Sequence, residues 1–329
     1  MAFPINPTRT RMSLELRHNS PLIGCRFDPT GRFVFASAQD NTIQRWELAD
    51  QRKTVLVGHR SWVRGLAFLP AQSKLLSADY TGKMFVWPSD AKKPEPERVL
   101  DAHRGWCRAV AVTPDGTRFA TCGNDHLVKI WSALDFSLIR TLEGHDCHVY
   151  NVAFHPEGMH VVSADLHGNI RHWNLETGEL VRTMDCSVLF RYDTTFRADH
   201  GGIRSMAFNR QGSLLACAGI TNVSNAFAGV GNPAVVLFDW RLGHRAEILR
   251  PQAAFQGTGW GVTFLPDGHV AATAGGNGGA LWFWTPDQSA SYHTLALPNN
   301  ARDLHLHPDG RRLAIPFFDG AVRVYDMGM

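Results

Sequence analysis

Apolar and polar positions along the chain recur in one order with a period of roughly 42 residues, the length of a small supersecondary unit. Seven stretches share a single design: PLIGCRF (21–27), WVRGLAF (62–68), WCRAVAV (106–112), HVYNVAF (148–154), GIRSMAF (202–208), TGWGVTF (258–264) and NARDLHL (300–306). The last and third-last residues of each are mostly large and apolar, and those between are mostly small, so both faces of the extended segment are apolar. That is the pattern of a strand packed on both sides. A tight turn follows every stretch: DPTG (28–31), LPAQ (69–72), TPDG (113–116), HPEG (155–158), NRQG (209–212), LPDG (265–268) and HPDG (307–310). Proline presets φ for the second turn position, and glycine relieves the strained last one.

About nineteen residues beyond each stretch comes an aromatic: Trp46, Trp87, Trp131, Trp173, Trp284 and Tyr325, with Phe238 later because of an insertion. Each closes a third strand, as in HLVKIW or GAVRVY, and in most repeats a more polar fourth strand follows, as in FSLIRTL (136–142). Four short strands per repeat, seven times, predict an all-β, seven-bladed β-propeller of four-stranded antiparallel blades. The last repeat supplies only three strands, at about 301–306, 311–315 and 320–325. RMSLEL (11–16) alternates Met12, Leu14 and Leu16 on one face and can complete that blade, which would otherwise bare a strand edge. Residues 1–329 are therefore expected to form one propeller domain, with the blades at about 11–326 behind a short irregular lead.

One spacing makes the assignment specific. His18, His59, His103 and His145 each precede a tryptophan (Trp46, Trp87, Trp131, Trp173) by 28 residues. With GHRSW (58–62), AHRGW (102–106) and GHDCH (144–148), the chain resembles the WD-repeat family over nearly its whole length, from about Arg11 to Tyr325. The Trp-Asp dipeptide survives only as Phe238-Asp239 and Tyr325-Asp326. The family's turn aspartate, six residues before the tryptophan, matches Asp40, Asp125 and Asp319. In blades 2 and 4 that position is Thr81 and His167, with Asp79 and Asp165 two residues earlier, so these blades depart from the pattern of the family's internal network. The resemblance implies ring closure by the N-terminal strand and a buried network tying each blade's entry loop to its tryptophan.

Composition narrows the function. At 44% hydrophobic and 19% charged, the chain reads as a folded protein with a large core. A formal charge of +3 without a run of five like charges argues against nucleic acid as the partner. The first twenty residues lack the continuous apolar stretch of a secretory signal, and no apolar run reaches membrane-span length, so the expectation is a cytoplasmic protein with no membrane contact. The six cysteines are scattered with no CxxC pair and are expected as reduced core residues.

Sets such as His59, Ser77 and Asp79, or His103, Thr121 and Asp125, have the composition of a hydrolase triad. Repetition of one set in several blades points to a repeated structural task, so no catalytic residue, metal site or cofactor is expected. The inner strands hold a single carboxylate, Asp303, too little oxygen for a calcium site; His305 and His307 share a strand face and could begin a metal site, but His307 opens a turn, as His155 does in blade 4.

Two departures from the repeat carry the functional expectation. Extra residues lie before blade 5, around 185–200, and inside it, around 219–233; propeller topology places both on one face, as neighbours. They offer Phe190, Arg191, Tyr192, Phe196, Arg197, Asn222, Asn225 and Phe227, the residue types of interface anchors. In addition, four residues before the end of the inner stretch stand Arg64, Arg108, Arg204 and Arg302, with Tyr150 and Trp260 at the same place in blades 4 and 6. Trp62, Trp106 and His148 lie two residues earlier. Strand alternation puts these pairs on one side, at the channel mouth on the face of the insertions. A rim of arginine and aromatics suits carboxylates, phosphates or an acidic peptide. The expected function is a non-catalytic interaction scaffold that binds a partner protein or acidic peptide there, as a monomer or a subunit of a hetero-complex. A structural subunit of a larger assembly is the alternative, and a propeller enzyme with a channel ligand the lesser one.

Overall fold

The computed structural model describes residues 5–225 and 230–328. Seven four-stranded antiparallel sheets follow one another, each with its strands in chain order except the last. Blade 1 comprises Leu22–Phe27, Phe33–Ala38, Ile43–Glu47 and Lys53–Leu56, and blades 2 to 6 repeat the plan up to His293–Leu297. The inner strands neighbour one another in sequence, and that of blade 7 returns to that of blade 1, which closes the ring.

Closure uses the N-terminal strand. Arg11–Arg17 pairs antiparallel with Ala321–Asp326, from Arg11 opposite Asp326 to Arg17 opposite Ala321. Leu16 is buried in the blade 7–blade 1 core, and Glu15 receives Arg323 at 2.6 Å.

Each blade is a slab with an apolar side toward each neighbour, and the buried residues accordingly fall into seven clusters, one per blade junction. Successive residues of one strand serve opposite junctions: Phe119 packs toward blade 2 and Ala120 toward blade 4. This two-sided burial is why the strands read as apolar on both faces. Trp46, Trp87, Trp131, Trp173, Phe238, Trp284 and Tyr325 are all buried. All six cysteines are buried and free. Among the described residues no helix is long and apolar enough to cross a membrane.

The histidine networks form in blades 2, 3 and 4. In blade 2, Trp87 donates its indole N–H to Ser77 Oγ (2.8 Å), Ser77 lies 2.7 Å from His59 Nε2, and His59 Nδ1 lies 2.8 Å from Asp79. One tautomer satisfies all three contacts: Nδ1–H donates to the carboxylate and Nε2 accepts from the hydroxyl. Blade 3 repeats this with Trp131, Thr121, His103 and Asp125, and blade 4 with Trp173, Ser163, His145 and Asp165. The missing turn aspartates of blades 2 and 4 thus break nothing, because Asp79 and Asp165 reach the same ring from the end of the second strand. Burial opposes the charge on Asp79, but hydrogen bonds from His59 and Thr81 outweigh it and hold the carboxyl below its ordinary range. Blade 1 departs instead: His18 meets Asp40 through Nε2 at 2.7 Å, and no neighbouring hydroxyl links it to Trp46 among the described residues.

Candidate functional site

The inner strand of each blade carries the site at one repeated position. In blades 1, 2, 3, 4 and 6 the pairing with the second strand slips by one residue, and the residue left out of register is Ile23, Arg64, Arg108, Tyr150 or Trp260. In blades 5 and 7 the regular ladder begins only after the equivalent Arg204 and Arg302, at Ser205 and His305. A bulge re-aims its side chain and ends regular pairing. All seven side chains therefore turn inward, and together they line a cavity of about 410 Å³ at the channel mouth. Trp62 and Trp106, from the loops entering blades 2 and 3, and Gln39 and Tyr80, from the turns joining second and third strands, complete its wall with Asn151 and Ile203.

Around the ring the order is Ile23, Arg64, Arg108, Tyr150, Arg204, Trp260, Arg302, so two aromatics separate three of the cations. Arg108 and Arg204 lie 4.2 Å and 4.9 Å from the Tyr150 ring centre. Arg204 and Arg302 lie 5.4 Å and 4.9 Å from Trp260, which Arg64 also approaches at 5.8 Å from across the channel. Arg108 has a second platform in Trp106 at 4.3 Å, itself stacked on Tyr80 at 4.0 Å. The negative π faces stabilise guanidinium groups that would otherwise repel each other.

What the ring lacks is acid. Among the described residues no carboxylate lies within 4.0 Å of Arg64, Arg108, Arg204 or Arg302. Arg64 donates to the Ile23 carbonyl (2.9 Å) and Arg108 to the Asn124 side chain (2.8 Å), while the side chains of Arg204 and Arg302 make no hydrogen bond among the described residues. Asp303, deeper in the channel, is taken by Arg26 at 2.6 Å and by the Cys25 amide. Burial, reinforced by Arg108 and Arg64, lowers the pKa of Arg204, and burial with Arg64 lowers that of Arg302. Beneath the ring a second chamber of about 230 Å³, lined by Arg26, Arg64, Arg108, Arg204 and Asp303 among others, continues down the channel.

The two insertions are neighbours on this face. The first forms a hairpin, Phe190–Asp193 with Ala198–Gly201, anchored by buried Leu189 in the blade 4–blade 5 core. The second lengthens the middle strands of blade 5 to Leu214–Asn225 and Val230–Asp239. They pack together at Gly219, where an added Cβ would stand 2.8 Å from the Gly202 carbonyl and 3.1 Å from Leu189.

Of the expected site residues, Arg64, Arg108, Arg204, Arg302, Trp62, Trp106, Tyr150 and Trp260 converge on the cavity. His148, Phe190, Arg191 and Tyr192 do not line it. His148 stands beside His126 at 5.5 Å, and its pKa is lowered by burial and by Arg108; Phe190 packs on His167 at 4.6 Å, and Tyr192 is 51% exposed on the hairpin. Phe227 lies outside the described residues. Sequence reasoning missed Ile23, which the repeat alone would have placed in the ring, and Gln39, Tyr80, Asn151 and Ile203, whose inward aim depends on the packing of the blades.

Comparison with known proteins agrees with this architecture. The family described as WD domain, G-beta repeat, matches residues 11–47, 50–88, 94–132 and 136–174, which are blades 1 to 4 with the closing strand. Apoptotic protease-activating factor 1 of Rattus norvegicus is 28% identical over 214 residues, 65% of this chain and 17% of that protein. Transcription initiation factor TFIID subunit 5 of Caenorhabditis elegans is 28% identical over 206 residues, 60% of this chain and 29% of that protein. Nuclear distribution protein nudF of Emericella nidulans is 31% identical over 156 residues, 47% of this chain and 30% of that protein. The aligned part is thus less than a third of the length of each of these relatives. Blades 1 to 4 thus match the WD-repeat family, and the His–Ser/Thr–Trp networks of blades 2 to 4 and a ring of seven blades closed by the N-terminal strand are those of a WD-repeat-like β-propeller.

Proposed function

We propose that the chain is a non-catalytic interaction module that captures an acidic segment of a partner protein at the arginine ring, with the blade 5 hairpins flanking the bound chain. One observation carries this reading: four guanidinium groups converge on one cavity with no carboxylate of the described residues beside any of them. Arginines held in place by aromatic faces keep their forked donors for an external acceptor, and little rotamer freedom is lost when it arrives. Their fields add on the axis, which steers an anion toward the mouth. The triad-like sets stay structural in this reading, since each hydroxyl lies between a tryptophan and a histidine inside a blade. A relative named as a subunit of a transcription initiation factor is in keeping with service within an assembly.

The test is fluorescence anisotropy with a fluorescein-labelled hexaaspartate peptide. Binding is expected to weaken steadily as salt rises, and to vanish when Arg108 and Arg204 are both replaced by glutamate. Retention of full binding by that double variant, with an unchanged melting temperature, would overturn the reading.

A further inference from the structure

We infer that the group seated in the ring is a phosphoryl dianion, carried on a side chain of the partner segment. This deepens the proposed function and rests on it, but it separates phosphate from carboxylate, which the acidic-segment reading does not.

The charge count favours phosphate. A carboxylate brings one negative charge and two oxygens, and among four uncompensated guanidinium groups it would leave most of the positive charge unbalanced. A phosphate monoester brings a charge of roughly −1.5 to −2 and three acceptor oxygens, enough to face several forks at once. The donors are available: the side chains of Arg204 and Arg302 are without an acceptor among the described residues, and Arg64 and Arg108 each spend a single N–H. They surround an axis and do not lie along one edge, so a tetrahedral anion on that axis can meet donors from blades 2, 3, 5 and 7 together. A planar carboxylate pairs best with one fork at a time.

The walls favour a phosphoryl group over a ring-bearing ligand. Tyr150 is approached by two guanidinium groups, and Trp106 is shared between Tyr80 at 4.0 Å and Arg108 at 4.3 Å. These aromatic surfaces are occupied in holding the cations, so they are not open platforms for a nucleobase. Below the ring the chamber's carboxylate among the described residues, Asp303, is held by Arg26 and does not repel the anion. Trp62, 43% exposed at the rim, is left to flank the peptide that carries the phosphate.

The experiment uses the full chain and three probes in isothermal titration: N-acetyl-O-phosphoserine amide, N-acetylaspartate amide and inorganic phosphate. The phosphoserine derivative is expected to bind on the order of tenfold more tightly than the aspartate derivative, because it adds charge and an acceptor to the same forks. Arg204→Met and Arg302→Met are each expected to remove that preference, with Arg98→Met, exposed on the outer strand of blade 2 and away from the channel, as the unaffected control. Two separate ring variants guard against one that fails to fold. Equal affinity for phosphoserine and aspartate, lost together in Arg204→Met, would overturn the phosphoryl assignment and leave the acidic-segment reading standing. Inorganic phosphate binding at least as tightly as the phosphoserine derivative would overturn the side-chain origin in favour of a free anion. Absence of binding by any probe, together with absence of hexaaspartate binding, would overturn both readings.

Discussion

Removing one hydroxyl in blade 3 tests whether the histidine networks hold the blades together or merely occupy space within them. Thr121 is fully buried; its Oγ1 lies 2.9 Å from the Trp131 indole nitrogen and 2.8 Å from His103 Nε2. Thr121→Val keeps the branched shape and leaves no cavity, so hydrophobic packing changes little. Two buried polar groups lose their partner at once: the indole N–H of Trp131 has no acceptor and the Nε2 of His103 no donor. Each orphaned group costs about 1–3 kcal/mol, so the variant is expected to lose about 2–6 kcal/mol. Thr117→Val is the control, since its hydroxyl bonds Asp115 in an exposed turn and its removal is expected to cost less than about 0.5 kcal/mol. Urea titration followed by far-ultraviolet circular dichroism compares the two, and amide exchange at Cys122 and Val128 locates the loss in blade 3. A Thr121→Val protein as stable as Thr117→Val would refute the claim that these networks stabilise the blade.

Deleting residues 1–17 removes the outer strand of blade 7 and bares Val322 and Val324; calorimetry is expected to show a broadened transition at lower temperature, or aggregation. Trp131→Ala is expected to cost roughly 3–5 kcal/mol, the range for a large buried aromatic, and Trp62→Ala, at the rim, less than about 1 kcal/mol; equal costs would show that the rim is misplaced. Burial, with His160, Arg182 and His155 nearby, pushes the pKa of His172 down to about 3. Between about pH 6.5 and 3 the unfolded chain therefore binds a proton that the folded one refuses, so stability falls as pH falls through that window. His172→Phe is expected to flatten this acid limb by on the order of a few kcal/mol in urea titrations at pH 7 and pH 4, and an unchanged limb would refute the assignment.

The number of blades, their strand order and the closing strand were legible in the sequence because each rests on local, repeated chemistry. A strand buried on both sides must be apolar on both faces, and a tight turn must carry proline and glycine at set places; neither demand depends on what lies across the ring. The His-to-Trp spacing was equally legible, yet its meaning in blade 1 was not. His18 has the spacing of His59, His103 and His145, but it meets its aspartate through the other ring nitrogen, a choice made by local packing. Conversely, the absent turn aspartates of blades 2 and 4 proved harmless, because Asp79 and Asp165 approach the same histidine atom from two residues away.

The candidate site divides along the same line. Repetition alone placed Arg64, Arg108, Tyr150, Arg204, Trp260 and Arg302 at one position of the inner strand. Only the tertiary structure could decide that the strand slips register there, that aromatics from one blade hold guanidinium groups from the next, and that no acid among the described residues reaches them. The physical reason is range. Periodicity records what a residue needs from its own strand and turn, whereas a salt bridge made or left unmade across a ring joins residues more than a hundred positions apart, and no local pattern encodes it.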